Sequence, residues 1–233
     1  MRTIMVLNAK GGSGKTTLVT NIAGYYAAQQ ETTVIKDYDP QGSSSEWLQE
    51  RSYSLPTIHG LTAFKPSSQY MTRAWQMRLP NDTRHVIIDT PAVIDLKRFV
   101  TTFKSVDKLL IPVSASPVEI RATVKFIETW KAFTKLYPCN AKIGIVANRV
   151  NIESNGYHAL RTVFKNLGMD IIASLSYNEK YLEAAERGVS ILELNHSNLA
   201  QDKFEWASLI NWLEDDEIIQ RNIDEPKLYA VAD

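Results

Sequence analysis

The strongest constraint on the fold comes from short apolar runs that do not alternate with polar residues. Examples are VIIDT at 86–90, LLIPV at 109–113 and IGIVA at 143–147. Strands buried on both faces of a parallel sheet have this pattern. Between such runs lie longer stretches of helical periodicity, as at 16–30 and 118–137. The alternation predicts an α/β fold, a doubly wound and mostly parallel sheet with helices on both faces.

The other elements follow from the same two periodicities and from their flanking turn residues. We expect further strands at 3–8, 32–39 and 169–176, and further helices at 43–51, 68–79, 93–103, 156–168, 178–188 and 198–219. Residues 52–68 contain two prolines and show no clear period, so we expect them to be mostly loop.

Composition limits the number of domains and the classes of protein. The chain has 233 residues, 44% of them hydrophobic, and its formal net charge is zero. The charge is uneven, because residues 201–233 carry nine acidic and three basic side chains. We expect a single domain over 1–219 and an acidic C-terminal tail over 220–233. The one cysteine, Cys139, excludes an internal disulfide and a thiolate metal cage. The absence of an apolar run of ~20 residues argues against a membrane span.

The sequence NAKGGSGKTT, residues 8–17, lies between a predicted strand and a predicted helix. Its glycines allow backbone N–H groups to turn inward on a phosphate, and the following helix start adds its dipole. Lys15 would reach the β- and γ-phosphates, and the Thr16 hydroxyl would bind Mg²⁺. A generic phosphate loop has glycine where this chain has Ala9. The expected nucleotide-binding residues are Gly11, Gly12, Ser13, Gly14, Lys15, Thr16 and Thr17.

Acidic residues follow two of the predicted strands and could complete a magnesium site. IIDTP provides Asp89, and KDYDPQGS provides Asp37 and Asp39. An aspartate of the Asp89 kind holds Mg²⁺ through a water in nucleotide-hydrolysing proteins. Each of these aspartates could instead be a helix cap or a turn former. The four histidines are scattered and suggest no competing chemistry.

These motifs together resemble the ParA/MinD family of P-loop ATPases with a deviant Walker motif. The matching blocks are KGGSGKT at 10–16, DYDPQ at 37–41, IIDTP at 87–91, LIPVSASPVE at 110–119 and VANRV at 146–150. The chain looks most similar to the short ParA-type partition and positioning ATPases. The resemblance implies ATP and Mg²⁺ as cofactors.

The resemblance also implies roles for particular residues. ATP would drive a homodimer in which Lys10 crosses the interface to the phosphates of the other protomer, and Asp39 would position the attacking water. The implied catalytic residues are Lys10, Lys15 and Asp39. The implied metal set is Thr16, Asp39 and Asp89, with Asp37 and Asp89 acting through water. Asn148 lies where the family contacts adenine, although it could also be a cap after a strand.

The implied function is positioning or segregation of a large cargo by an ATPase that binds nucleoid DNA without sequence preference. A small adaptor protein would stimulate slow hydrolysis, and the protein would be cytoplasmic and nucleoid-associated. The candidate DNA-binding residues are Arg149, Arg161, Lys165, Lys180 and Arg187. The alternative is a MinD-like membrane ATPase, which the acidic C-terminal sequence disfavours, since such a protein needs a basic amphipathic helix. The cargo remains open: a plasmid, a chromosome, a receptor array or a microcompartment.

Overall fold

The computed structural model describes residues 1–65, 72–195 and 197–215. Within them, seven strands form one sheet. The strands are β1 (Arg2–Val6), β2 (Thr33–Asp37), β3 (Ile58–Thr62), β4 (His85–Asp89), β5 (Lys108–Val113), β6 (Lys142–Asn148) and β7 (Ile171–Leu175). The helices are α1 (Lys15–Ala28), α2 (Ser43–Glu50), α3 (Arg73–Gln76), α4 (Val100–Phe103), α5 (Pro117–Leu136), α6 (Asn155–Asn166), α7 (Lys180–Glu186) and α8 (Ala200–Glu214). Short 3₁₀ turns cover Leu96–Phe99, Ile191–Glu193 and Ser197–Leu199.

The strand order is β3-β2-β4-β1-β5-β6-β7, and every pairing is parallel. The register aligns Val6 of β1 with Asp89 of β4, and Asp89 with Asp37 of β2. Three neighbouring strands therefore end together at one edge, where loops that bind ligands usually lie in such sheets.

Helices cover both faces of the sheet, as the apolar runs predicted. In β1, Ile4 and Val6 face a core cluster that contains Trp206 of α8. Met5 and Leu7 face a second cluster that contains Trp130 of α5. Because consecutive side chains of one strand enter different cores, the strand is apolar throughout. The prediction of a doubly wound parallel sheet is confirmed.

Most of the described part of 52–68 is loop, as predicted, but the prediction missed a strand, β3, that lies within it. β3 is an edge strand that pairs only with β2, and its Ile58 is buried whereas His59 and Gly60 are exposed. Gly60 leaves room for a neighbouring side chain, since a Cβ there would lie 2.7 Å from Leu48 Cδ1. A short strand with one buried residue and a glycine gives no periodic signal.

Two helix predictions were too long. The stretch 93–103 forms a 3₁₀ turn over Leu96–Phe99 and a single helical turn, α4. The predicted helix at 68–79 is reduced to α3, and part of that stretch, 68–71, lies outside the described residues. The helix predicted at 198–219 is α8, and 216–219 together with the predicted tail at 220–233 lie outside them too. No helix among the described ranges is long and apolar enough to cross a membrane.

Candidate nucleotide-binding site

The glycine loop lies at the carboxyl end of β1 and leads directly into α1. Gly12 and Gly14 have φ of 75° and 95°, in the left-handed region that favours glycine. Gly14 also cannot carry a side chain, because a Cβ would lie 2.0 Å from the Asn148 Nδ2 atom. That Nδ2 donates a hydrogen bond of 2.9 Å to the Ser13 carbonyl oxygen. The loop is thus held against the end of β6 by the side chain that the resemblance assigned to adenine.

Lys15 is a buried cation inside the loop. Its Nζ donates to the Lys10 carbonyl oxygen at 3.3 Å. Burial lowers the Lys15 pKa, and the negative charges of Asp89 and Asp39 oppose that shift. An ammonium group with little access to water interacts strongly with an anion that enters the loop. Lys10, five residues earlier, is exposed at the rim of the loop.

Asp89 is the most deeply buried acid of the site. Its Oδ2 accepts a hydrogen bond from the Thr16 hydroxyl at 3.0 Å, and its Oδ1 is buried without a hydrogen-bond partner within the described residues. Burial raises the pKa of Asp89 to about 6, and the charge of Asp37 contributes in the same direction. A buried carboxylate oxygen with free lone pairs beside a hydroxyl fits a Mg²⁺ ligand set, directly or through water.

The described side chains do not by themselves form a complete metal cage. Among residues 1–65, 72–195 and 197–215, no three His, Cys, Asp or Glu side chains gather closely enough to hold an ion. This suits Mg²⁺, which keeps several waters and binds through one or two carboxylates together with substrate phosphates. Thr16, Asp89 and the Asp37–Asp39 loop are the residues that would hold the ion.

Asp37 anchors the loop that carries Asp39. The Asp37 Oδ2 accepts hydrogen bonds from the Ser45 backbone N–H at 3.1 Å and from the Ser45 hydroxyl at 2.7 Å. The Asp37 Oδ1 accepts from the Asp39 N–H at 3.0 Å. Asp39 is half-buried and lines the phosphate-loop cavity, and its Oδ1 accepts from the Gln41 N–H. Asp37 therefore has a turn-forming role here, whereas Asp39 lies at the cavity itself.

Two adjoining cavities meet at Thr17. The first, of about 330 Å³, is lined mainly by the glycine loop, with Asp39 and Ala92 opposite. The second, of about 290 Å³, is lined by Asn148 and by residues 176–178 and Tyr181, which follow β7. An elongated ligand with a phosphate end and a second, less charged end would fill both. Sequence reasoning missed the wall at 176–181, although SYN directly after a predicted strand places polar groups at the binding edge.

The five candidate DNA-binding residues lie in three different places. The Arg149 Nη1 donates to the Gly12 carbonyl oxygen at 3.4 Å and lines both cavities, so this side chain belongs to the nucleotide site. Lys180 and Arg187 both pair with Glu183, at 2.6 and 3.2 Å. Arg161 and Lys165 are exposed one turn apart on α6.

A parallel sheet with a glycine loop between β1 and α1 defines a P-loop nucleotide-binding protein. The family model "CobQ/CobB/MinD/ParA nucleotide binding domain" matches residues 4–191. The chain belongs to this family.

Known relatives within the family are similar over nearly the whole chain. The maintenance of carboxysome distribution protein A of Halothiobacillus neapolitanus is 27% identical, over 82% of this chain and 87% of the relative. The apo structure of McdA from Cyanothece superposes with a TM-score of 0.68 at 20% identity, covering 90% of this chain and 99% of that one. An McdA variant in complex with ATP gives 0.66 at 19% identity, over 90% and 96%.

Another solved structure with this fold is that of the septum site-determining protein MinD of Pyrococcus horikoshii with Mg-ADP. It superposes with a TM-score of 0.62 at 15% identity and covers 92% of this chain and 96% of that one. ATP and Mg²⁺, the cofactors that the resemblance implies, thus occur in solved structures of this fold.

Proposed function

We propose that this protein is a ParA-type ATPase that dimerises on ATP and positions a large intracellular cargo. The observation that carries the proposal is the different placement of two lysines in one loop. Lys15 is buried inside the loop, whereas Lys10 is exposed at its rim. A buried lysine suits the phosphates of its own site, and an exposed one is free to reach a second protomer.

Mg-ATP would lie in the two adjoining cavities. The phosphates would be held by the backbone N–H groups of the glycine loop and by Lys15, with Thr16 and Asp89 directed at the ion. When bound, Mg²⁺ neutralises the charge that develops on the phosphate oxygens. Asp39 lies across the cavity from the loop, where its carboxylate can orient a water for attack. The nucleoside would occupy the cavity beside Tyr177 and Tyr181.

Lys10 would act across the interface of an ATP-bound homodimer. As a compact positive charge, it would stabilise the transition state in the other protomer, as an arginine finger does. Dimer formation would therefore depend on the γ-phosphate. ATP hydrolysis by the dimer alone would be slow, and a small adaptor protein would raise its rate. The rate of hydrolysis would then set the lifetime of the dimer.

The expected partner is DNA, which the protein would bind without sequence preference, and the expected location is the nucleoid. The names of two relatives, a carboxysome distribution protein and the chromosome-partitioning ATPase Soj of Treponema pallidum, both describe positioning. Arg161 and Lys165 on α6 are the exposed candidates that form no ion pair within the described residues, and dimerisation would double them. Binding of this kind is directed at phosphates and falls steeply with salt.

The test is DNA retention by a gel shift on random-sequence duplex DNA with ATP, ADP or no nucleotide. We expect retention with ATP only, and a loss of affinity as salt rises. The double variant Arg161→Glu/Lys165→Glu should abolish the retention of DNA. The matched control is Lys104→Glu/Lys135→Glu, which makes the same charge change at exposed positions near the amino end of β5 and the carboxyl end of α5. Absence of binding at low salt contradicts the nucleoid proposal, and equal loss in both variants shows that net charge alone drives the retention.

A further inference from the structure

A buried ion pair joins two distant parts of the chain behind the nucleotide site. Arg51 follows the last residue of α2, and Glu193 ends the 3₁₀ turn Ile191–Glu193. The Arg51 Nη2 contacts the Glu193 Oε1 at 2.6 Å, and Nη1 donates to Oε2 at 3.1 Å. Both side chains are more than nine-tenths buried. A two-point contact between planar groups fixes orientation as well as distance.

The remaining polar atoms of the pair form hydrogen bonds as well. The Arg51 Nε donates to the Pro56 carbonyl oxygen at 3.1 Å, and Nη1 donates also to the Gly188 carbonyl oxygen at 3.0 Å. The Glu193 Oε2 accepts from the Ser190 N–H at 2.8 Å. A buried ion pair with this many hydrogen bonds holds its elements in a single arrangement, and loss of one partner leaves an uncompensated charge.

The packing around the pair leaves no room for a side chain at two glycines. Gly188 has φ of 59°, and a Cβ there would lie 2.3 Å from the Arg51 nitrogen. On the other side, a Cβ on Gly24 of α1 would lie 2.7 Å from the Glu193 Oε2. Asn21 of α1 accepts a hydrogen bond of 2.6 Å from the Ile191 N–H. The segment 188–193 is thus wedged between α1 and the end of α2.

This arrangement bears on the site because α2 is attached to the loop that contains Asp39. Ser45, in the first turn of α2, donates two hydrogen bonds to Asp37, and Asp39 lies in the loop between these two residues. A cavity of about 430 Å³ separates much of α2 from α7, with Glu46 and Glu50 on one side and Glu186 on the other. The helix has eight residues, and Trp47 anchors its middle in the core. The position of its two ends therefore rests on polar contacts, Asp37 at the start and Arg51 at the end.

We propose that Arg51 and Glu193 are positioning residues for the Asp37–Asp39 loop, acting through α2. The pair fixes α2 to α1, the helix that begins at the phosphate loop, so that Asp39 faces the phosphates at a set distance. This inference rests on the proposed ATPase function. Neither side chain lines the phosphate-loop cavity. The pair therefore affects turnover by geometry alone.

The test uses three variants of graded severity. Arg51→Lys keeps the charge and loses the two-point contact, Glu193→Gln keeps the shape, and Arg51→Met removes the cation. We expect nucleotide affinity to stay within about threefold of the wild type. The single-turnover hydrolysis rate should fall about 10- to 100-fold, since a misplacement near 1 Å costs about that much. Arg51→Lys should retain more of the rate than Arg51→Met.

Hydrogen exchange in the nucleotide-free protein gives a readout that needs no activity. The amides at 41–45, among which the Gln41 and Ser45 N–H groups donate to Asp39 and Asp37, should exchange about tenfold faster in the variants. The amides in the middle of α1 should not change. This result depends on the position of α2 and not on bound ATP.

Lys108→Met is the matched control for a general loss of stability. Lys108 is also a buried cation, but it lies at the amino end of β5, away from the carboxyl end where the glycine loop lies, and its Nζ donates to the Trp212 and Asp215 carbonyl oxygens. This variant should unfold at a lower temperature, yet hydrolyse ATP at the wild-type rate per folded molecule. An equal loss of turnover in Lys108→Met would overturn the proposal, because general loosening would then explain the effect.

The outcomes separate the two proposals. If the wild type hydrolyses ATP, and the Arg51 and Glu193 variants hydrolyse it equally fast with unchanged exchange at 41–45, the positioning role is refuted alone. If the wild type shows no hydrolysis, the proposed function fails, and the exchange experiment still decides whether the pair positions the loop.

Discussion

Replacing Asp89 by asparagine should make the nucleotide-free protein more stable at neutral pH, although the residue lies in the nucleotide site. Asp89 is fully buried, and burial raises its pKa from 3.8 to about 6. For an acid, a raised pKa means that the folded state binds the proton more tightly than the unfolded state does. Stability is therefore lost as the pH rises from about 4 to about 6, and it stays lost above that range.

The size of the effect follows from the shift. About two pKa units correspond to ~3 kcal/mol, since one unit is about 1.4 kcal/mol. Asparagine cannot ionise and avoids this cost. In a domain of this size each kcal/mol moves the melting temperature by about 2–4 °C, so the variant should melt roughly 6–12 °C higher at pH 7.5. The difference should vanish below about pH 4, where the wild-type carboxyl group is protonated in both states.

The assay is thermal unfolding of both proteins from pH 4 to pH 7.5, first with chelator and then with Mg-ATP. A ligand at 100 times its dissociation constant stabilises a protein by ~2.7 kcal/mol. The wild type should gain this much from Mg-ATP and Asp89→Asn clearly less. Asp107→Asn is the control, because it makes the same chemical change directly before β5, at the amino end of the sheet, where the Asp107 Oδ2 accepts a hydrogen bond of 2.7 Å from the Thr3 N–H. It should keep the Mg-ATP effect. A variant that melts below the wild type at pH 7.5 without ligand, or that gains as much from Mg-ATP, would refute the reasoning.

Three further substitutions test the phosphate loop and the acid opposite it. Gly14→Ala should weaken ATP binding more than tenfold and cost about 2 kcal/mol or more, because its Cβ would clash with Asn148. Gly12→Ala meets open space and should cost about 1 kcal/mol of backbone strain only; equal effects in nucleotide titration and melting would contradict the steric argument. Asp39→Ala should bind ATP and dimerise but stall hydrolysis, and turnover at the wild-type rate would exclude it as the residue that orients water.

The phosphate loop could be predicted from the sequence because its geometry is local. Contiguous glycines, a lysine and a strand-to-helix context specify the same turn wherever they occur. Asp37 and Asp89 could also be placed together, since neighbouring parallel strands end at one edge. The ladder confirms this by pairing the two residues directly.

Contacts between distant segments could not be predicted in this way. Asn148 binds the Ser13 carbonyl across 135 residues, and Arg51 binds Glu193 across 142. Nothing in the sequence near either residue signals its partner. Lys108 begins the apolar strand β5 and would be expected in solvent, yet it is buried because the carbonyl groups at the end of α8 accept its hydrogen bonds. The edge strand β3 was missed for a related reason, since an edge needs only one apolar face.

The two lysines of the glycine loop are proposed to act on different protomers. The test is nucleotide titration and molar-mass measurement of Lys10→Ala and Lys15→Ala, with ATP and with ADP. Lys15→Ala should lose nucleotide affinity, because the buried ammonium no longer faces the phosphates. Lys10→Ala should bind ATP with near wild-type affinity and remain monomeric. If both variants lose binding alike, or if Lys10→Ala dimerises and hydrolyses ATP as the wild type does, the role of Lys10 across the interface is contradicted.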